Sequence, residues 1–379
     1  VIQIILTGTV ILLYYVLVSI FQSQPELGPI SDFSIGNIYQ KVDFTIANQC
    51  MEKLGQPSYM INAGIASIGD FLMVAIPIGE DADSISALMN HVSASGIAVA
   101  MITGLFTSII FHLWAKLQFL KDSSIPDFVS SWINTVVPNL ISLGVIMIMV
   151  KLMEGNVYAA IISIFTPLIQ IGQTLPGLVL MCFTLAFFYT LGISSWTFNA
   201  ITTPILMAGV QANLEQIAAG QAATHIVSHT TFWSISFITM GGVCATLALN
   251  VLMCFSKSKQ LKMLGKVFLV PSIFNINEPL MYGAKVVFNP LLMIPAWINA
   301  IVGPVYVWVI MSLGLLNIPA QMMEIGQVPA PISSVLATQD IRAVLWWIIL
   351  FLIYGMIWYP FFKVYEKQKL KEETTAAVE

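Results

Sequence analysis

FLVPSIFNINEPLMYGAKVVFNP, from Phe268 to Pro290, is the stretch that decides how the chain is read. It sets Asn275, Asn277 and Glu278 almost side by side and closes them with Pro279. Gly283, Asn289 and Pro290 follow, all inside a strongly apolar chain. A lone carboxylate at the centre of a bilayer costs about 2.5–3.5 kcal/mol on insertion scales. Backbone interrupted by Pro and Gly survives at membrane depth only where protein buries it or a wet cavity runs beside it. The stretch therefore reads as a re-entrant hairpin near residues 268–290, with a polar tip that faces something polar.

The surrounding composition supports that setting. Of 379 residues, 58% are hydrophobic and only 9% charged, against about 25% charged in soluble domains. Too little polar surface is available to cover a soluble core of this size. The apolar runs are continuous rather than alternating, so the fold class is an all-α integral membrane protein, a polytopic helical bundle. The four cysteines, Cys50, Cys182, Cys244 and Cys254, lie in no paired spacing and read as small core residues.

Working outward, Val1–Phe21 is long enough to span and lacks the flanks of a signal peptide, with further residues expected upstream. Ile35–Leu54 is helix-like but carries Lys41, Asp43, Asn48, Gln49 and Glu52, so it needs protein, water or a partner subunit beside it. Tyr59–Gly79, Ala94–Leu120 and Val129–Met153 are further spans, the last kinked at Pro138. Residues 1–153 thus form an N-terminal half. Residues 154–175 read as an amphipathic linker helix.

Residues 176–362 form a second transmembrane half. Within it Pro176–Gly192 is a short span. Ile193–Val210, hydroxyl-rich and broken by Pro204, reads as another re-entrant hairpin, and Gln211–Thr231 as a polar loop with His225 and His229. Phe232–Phe255, Leu291–Leu316 and Ala343–Phe362 read as spans, with residues 363–379 a charged tail. Lys257, Lys259, Lys262 and Lys266 in one loop and Lys363, Lys367, Lys369 and Lys371 in the tail are eight of the fifteen basic residues. The positive-inside rule puts both groups in the cytoplasm. Two broken segments in one half, one with Ser194 and one with Glu278, are the pattern of a transporter site made from discontinuous helices. No Walker motif, zinc motif or nucleophile elbow is present. The basic residues are topological, so neither ATP-driven pumping nor nucleic-acid binding is indicated.

Taken together, SKSKQLKMLGK (Ser256–Lys266), VPSIFNINEPLMYG, VFNPLLMIP, GGVCATLAL (Gly241–Leu249), PAPISSVLAT (Pro329–Thr338) and the end from Tyr359, YPFFKVYEKQKLKEE, carry a resemblance. They resemble the lactose/cellobiose/diacetylchitobiose family of phosphotransferase-system sugar permeases, the IIC component. The resemblance is closest from about Gly241 onward and traceable earlier, as at AGIASIGDFLMVAIP from Ala63. It implies about ten transmembrane helices with two re-entrant hairpins, a homodimer, and multi-pass residence in a bacterial cytoplasmic membrane. It also implies uptake of a β-linked disaccharide or related sugar. A cytoplasmic IIB subunit carrying a phosphocysteine would phosphorylate that sugar, and no further cofactor is implied.

The resemblance carries the family's essential Glu onto Glu278, where it would accept or orient the proton of the attacking sugar hydroxyl. Asn275 and Asn277 become sugar ligands, since an amide donates and accepts at once, or else cap the hairpin tip. The alternative for Glu278, a structural pair with Lys285, leaves the asparagines unexplained. Ser194 stands where the family carries a His, the segment reading Gly192-Ile193-Ser194-Ser195. An acidic residue of the family near Thr107–Ile109 is likewise absent. Ser194 and Ser195 read as cavity lining or as helix-end caps, and Trp196 as a stacking platform or an interface anchor. His229, in a polar loop, reads as a solvated or capping His or as the candidate to replace the missing His. His225 and His229 lack a third ligand, so no metal site is read here. The alternative function is a IIC homologue that binds and moves sugar without coupled phosphorylation.

Overall fold

The computed structural model describes residues 43–76, 91–92, 96–117 and 127–376. The run Val1–Phe21 and Lys41 lie outside them. The regular structure of the described residues is helical, with no strand among them. The chain divides into two compact units, with the boundary between Leu168 and Ile169.

The smaller unit holds α1 (residues 43–53), α2 (Met60–Ala75), α3 (Ile97–Leu117), α4 (Asp127–Leu152) and most of α5 (Val157–Gly172). Helices α2, α3 and α4 pack on one another. Their outer faces keep Ile61, Ile65, Leu113 and Leu140 exposed, as lipid-facing helices do. The interior carries a polar seam. Thr107 Oγ1 donates to Asp70 Oδ2 at 2.6 Å, Ser142 Oγ bonds the same oxygen, and Thr103 Oγ1 reaches Asp43 Oδ1 at 3.3 Å. Thr107 of α3 thus meets a carboxylate of its neighbour α2. Asp43, on the polar first helix, is fully buried within its own unit.

The larger unit is built from α6 (Leu175–Thr190), α7 (Asn199–Ala218), α8 (Leu247–Cys254), α9 (Lys259–Ile273), α10 (Glu278–Gly283), α11 (Pro290–Ser312), α12 (Ile332–Thr338) and α13 (Ala343–Ala376). Its helix starts are written locally. Thr174 accepts from Gly177 N with Pro176 in the first turn, Ser258 accepts from Leu261 N, and Asn289 accepts from Leu291 N ahead of Pro290. The long α13 buries one stripe, Leu350, Tyr354, Trp358, Phe362, Tyr365 and Lys369, at the three- and four-residue spacing of a single helix face. Helices α6 and α11 pack together, as do α8 with α9 and α13 with α8 and α11.

Among the described residues five helices are long and apolar enough to cross a membrane: Pro57–Ala75, Ile97–Leu117, Ile133–Leu152, Pro290–Ser312 and Ala343–Thr375. The pair Val157–Gly172 and Leu175–Thr190 makes a sixth if it is one span. Two sequence expectations are corrected, the loop at Gln211–Thr231 and the span at Phe232–Phe255. Residues 193–210 are a turn and a 3-10 segment, Ser195–Phe198, leading into α7, which runs on past Pro204 and Val210. Part of the polar loop read at Gln211–Thr231 is therefore helical, through Ala218. Phe232–Phe255 is no continuous span: a π-helical turn, Thr230–Ser234, gives way to irregular backbone before α8 begins at Leu247.

That irregular stretch, 235–246, lies in the core. Ser236, Phe237 and Met240 are fully buried. Five of its residues, Ser236, Gly241, Gly242, Cys244 and Ala245, have positive φ, which defeats any regular helix. Its carbonyls find donors on α13: Tyr354 Oη donates to Phe237 O at 3.0 Å and Trp358 Nε1 to Ala245 O at 3.1 Å. Thr246 Oγ1 donates to Gly241 O at 2.7 Å. Tyr354 reaches in over Gly303 of α11, where a Cβ would stand 2.1 Å from the tyrosine oxygen.

Gly303→Ala tests this packing. Alanine favours a helix interior over glycine by roughly 1 kcal/mol, but here the methyl group would displace Tyr354 and orphan Phe237 O, at a cost of about 1–3 kcal/mol plus overpacking. The clash outweighs the propensity, so the thermal midpoint in detergent should fall. An unchanged or raised midpoint would refute this account of the packing.

Candidate functional site

Two breaks in the larger unit meet at Asn275–Glu278. Helix α9 ends at Ile273, and Asn275 takes φ of +58°, a left-handed conformation that Asn tolerates better than most residues. Its side chain is fully engaged: Oδ1 accepts from Gly241 N at 2.8 Å, and Nδ2 donates to Ser236 Oγ at 2.8 Å and Gly326 O at 2.6 Å. Asn277 is buried and equally committed. Its Oδ1 accepts from Tyr189 Oη at 3.2 Å, and its Nδ2 donates to Val243 O at 2.5 Å and Thr246 Oγ1 at 3.2 Å. Gly242, with φ of +102°, is required opposite it, because a Cβ there would come 2.3 Å from the Asn277 amide carbon. In this conformation both asparagines brace the irregular stretch 235–246.

Glu278 opens α10 and is exposed. Among the described residues it makes no ion pair with Lys285, and its carboxylate accepts no hydrogen bond. The fixed part of the tip is the two asparagines, and the free carboxylate is what the tip presents.

The turn after α6 lies against the return of this segment. Phe288 N donates to Thr190 O at 2.9 Å, Trp297 Nε1 donates to Thr190 Oγ1 at 3.0 Å, and Gly192 sits against the Phe288 ring. The segment with Ser194 and the one with Glu278 are therefore neighbours. Ser194 is exposed and its Oγ accepts from Trp196 N at 3.4 Å, a capping contact; Ser195 is buried, and Trp196 is 72% exposed. His229 stands before the π-helical turn with a buried Nδ1 that lacks a partner. No hydrogen bond joins it to Asn275, Asn277 or Glu278 among the described residues.

Sequence reasoning missed the second partners of the tip: Tyr189, Ser236, Val243, Thr246 and Gly326. The Gly241–Gly242 pair was the available signal, since two adjacent glycines mark backbone that needs special φ. No group of three or more His, Cys, Asp or Glu side chains is disposed to hold a metal among the described residues.

A multi-pass membrane bundle, all-helical among the described residues, with a polar tip at a helix break is the architecture of a membrane transporter. A family model described as "Phosphotransferase system, EIIC" matches residues 44–300. The chain belongs to that family and is a permease component of a sugar phosphotransferase system. It is 28% identical over 338 residues to the oligo-beta-mannoside-specific EIIC component of Bacillus subtilis strain 168, covering 85% of this chain and 76% of that one. Over 344 residues it is 30% identical to the lactose-specific EIICB component of Streptococcus mutans, covering 86% of this chain and 58% of that longer protein. The fold resembles the crystal structure of the transporter ChbC, the IIC component from the N,N'-diacetylchitobiose-specific phosphotransferase system. That comparison gives a TM-score of 0.83 and 25% identity, covering 98% of this chain and 92% of that one.

Asn277→Ala would leave the Tyr189 hydroxyl and Val243 O without partners, at about 1–3 kcal/mol for each buried group. Its thermal midpoint should fall further than that of Ser194→Ala, which removes one exposed cap. Equal midpoints for the two variants would show that Asn277 is no brace.

Proposed function

We propose that this permease component carries a β-linked di- or oligosaccharide across a bacterial cytoplasmic membrane and presents it at Glu278 to a IIB subunit. The observation that carries the reading is the pairing of a fixed tip with an unengaged carboxylate. A base must be free to meet a substrate hydroxyl, and Glu278 is the member of the Asn275–Glu278 group without a protein partner. The relatives' names, with oligo-beta-mannoside, lactose and diacetylchitobiose among them, support a β-linked sugar.

Helix geometry supports mid-depth placement. Helix α9 begins among the lysines and has 15 residues, so at 1.5 Å per residue it carries the tip about 22 Å inward. The segment then returns through α10 to Pro290, as a re-entrant hairpin would. The turn and α7 stretch near 193–210 form the second broken segment of the same half, within an overall design of about ten spans. With the lysine loop on the cytoplasmic side, IIB approaches there, and Ser194, Ser195, Trp196 and His229 are further sugar-contact candidates. In this conformation Asn275 and Asn277 act on the sugar only through an exchange of their protein partners.

Glu278→Gln is nearly isosteric and should leave the midpoint unchanged while abolishing uptake coupled to phosphorylation in vesicles supplied with IIB. Wild-type uptake by that variant would defeat the proposal. At Ser194 a hydroxyl can hydrogen-bond sugar but cannot supply an imidazole's acid–base help, worth roughly 10²–10⁴ in rate. Sugar phosphorylation with a matched IIB should therefore be slow, and Ser194→His should speed it without tightening equilibrium binding much. Fast wild-type phosphorylation would point to another residue, His229 first.

The chain is further proposed to pair as a homodimer through its first half. The support is the polar helix within 35–54, whose Glu52 and Lys53 stay exposed while Asp43 is buried. Cysteines placed in Val1–Met153 should cross-link two copies, and cross-linking confined to sites after Gly241 would defeat the assignment.

A further inference from the structure

The larger unit contains a cavity of about 390 Å³ remote in sequence from the Glu278 tip, lined among others by Ile217, Met311, Asn317, Gln321, Thr338 and Gln339. None of its lining residues is a sequence-derived site residue. Its volume lies within the roughly 300–1,000 Å³ of small-molecule sites.

Its walls are built rather than loose. The segment 317–331 has little regular structure, yet side chains from elsewhere grip its backbone. Asn213 Nδ2 donates to Pro319 O at 3.1 Å, Thr230 Oγ1 donates to Gln321 O at 2.8 Å, and Ser234 Oγ bonds Met323 O. The next residues are tied to the Glu278 tip, since Asn275 Nδ2 donates to Gly326 O. One segment thus forms part of the cavity wall and also touches the tip.

The cavity opens away from the lysine loop. Helix α13 starts beside Gln339 and ends beside Ser258, where Ser258 Oγ donates to Glu373. Its 34 residues cover about 51 Å at 1.5 Å each. At its first end Arg342 donates to Gly314 O and pairs with Asp340, which accepts from Asn317 N. The Arg342 guanidinium holds the Asp340 carboxyl below the usual carboxylate range, so this pair stays charged and mutually neutralised at ordinary pH. With lysines inside, the cavity faces the exterior.

The lining chemistry selects a ligand class. Among the described residues that line it none is charged, so an ionic headgroup or a free phosphate finds no counter-charge there. Gln321 and Gln339 are exposed and their side chains make no hydrogen bond to described residues, and Asn317 is exposed with one long contact to Arg342. Carboxamides that donate and accept at once, alternating with methyl-rich side chains, suit the hydroxyls and C–H faces of a neutral polyhydroxylated molecule.

We propose that this cavity is an outer carbohydrate subsite that captures the transported sugar before it reaches Glu278. The proposal rests on the sugar-transport reading above. The lining has no aromatic ring, which fits a site that must hold briefly and release.

The test is sugar uptake against concentration, using radiolabelled lactose and diacetylchitobiose, for the wild type and for Gln321→Ala combined with Gln339→Gly. Glycine suits the left-handed backbone at residue 339, where φ is +50°. Losing two neutral hydrogen bonds should raise KM about five- to twenty-fold, with kcat within about twofold, the pattern of lost ground-state capture. In a chain with Cys50→Ala and Cys254→Ala, Ala223→Cys should react with a membrane-impermeant maleimide added outside, and saturating sugar should slow that reaction. An unchanged KM in a folded variant, with no sugar protection of residue 223, overturns the subsite and leaves the transport reading standing. No uptake of either sugar by the wild type overturns the β-linked reading and the subsite together.

Discussion

Irregular backbone inside an apolar chain is the constraint on which the larger unit depends. Residues 235–246 satisfy only part of their own N–H and C=O groups, as Gly242 N to Thr239 O and Ala245 N to Gly242 O do, and lipid offers no substitute for the rest. Every nearby element supplies part of the answer. Asn275 and Asn277 reach in from one break, Thr246 from the stretch itself, and Tyr354 and Trp358 from α13. Small residues at Gly242 and Gly303 are the spatial condition for those bonds, because a methyl group at either would collide with the donor side chain. The paired glycines and the buried aromatic stripe of α13 are thus one device seen from two sides.

That device divides the labour at the tip. The asparagines, by residue type natural sugar ligands, are consumed in holding backbone. The adjacent carboxylate stays unengaged. An acceptor with no standing partner loses nothing when a hydroxyl arrives, whereas an amide must first break bonds worth about 0.5–1.5 kcal/mol each.

Much of this was legible in the sequence. Composition gave the membrane class, and FNINEP marked the break because polar residues, Pro and Gly in an apolar run leave few other readings. Capping at Thr174, Ser258 and Asn289 is local and equally readable. What escaped was long-range. Phe232–Phe255 reads as a span by hydropathy, since Phe237, Ile238 and Met240 are as apolar as any helix requires. Burial of loop and burial of helix demand the same residue types, and only the glycines hinted at the difference. The roles of Asn275 and Asn277 stayed open between sugar ligand and hairpin-tip cap for the same reason: an amide that binds sugar and one that binds backbone are spelled identically. The polar face of α1 looked like a partner surface, yet Asp43 is buried and its Oδ1 accepts from Thr103 within its own unit.

The donors on α13 also impose an order in time. Phe237 O waits for Tyr354, 117 residues downstream, and Ala245 O for Trp358, 113 residues downstream. At ribosomal speeds of about 5–20 residues per second, that interval is on the order of ten seconds. During it, a polar, non-helical segment has already been synthesised without the groups that complete it. The nascent unit must therefore keep this stretch hydrated, shielded by the insertion machinery, or temporarily helical until its last helix arrives. Helix α13 is consequently a closing element for residues 235–246, which are completed only from far downstream.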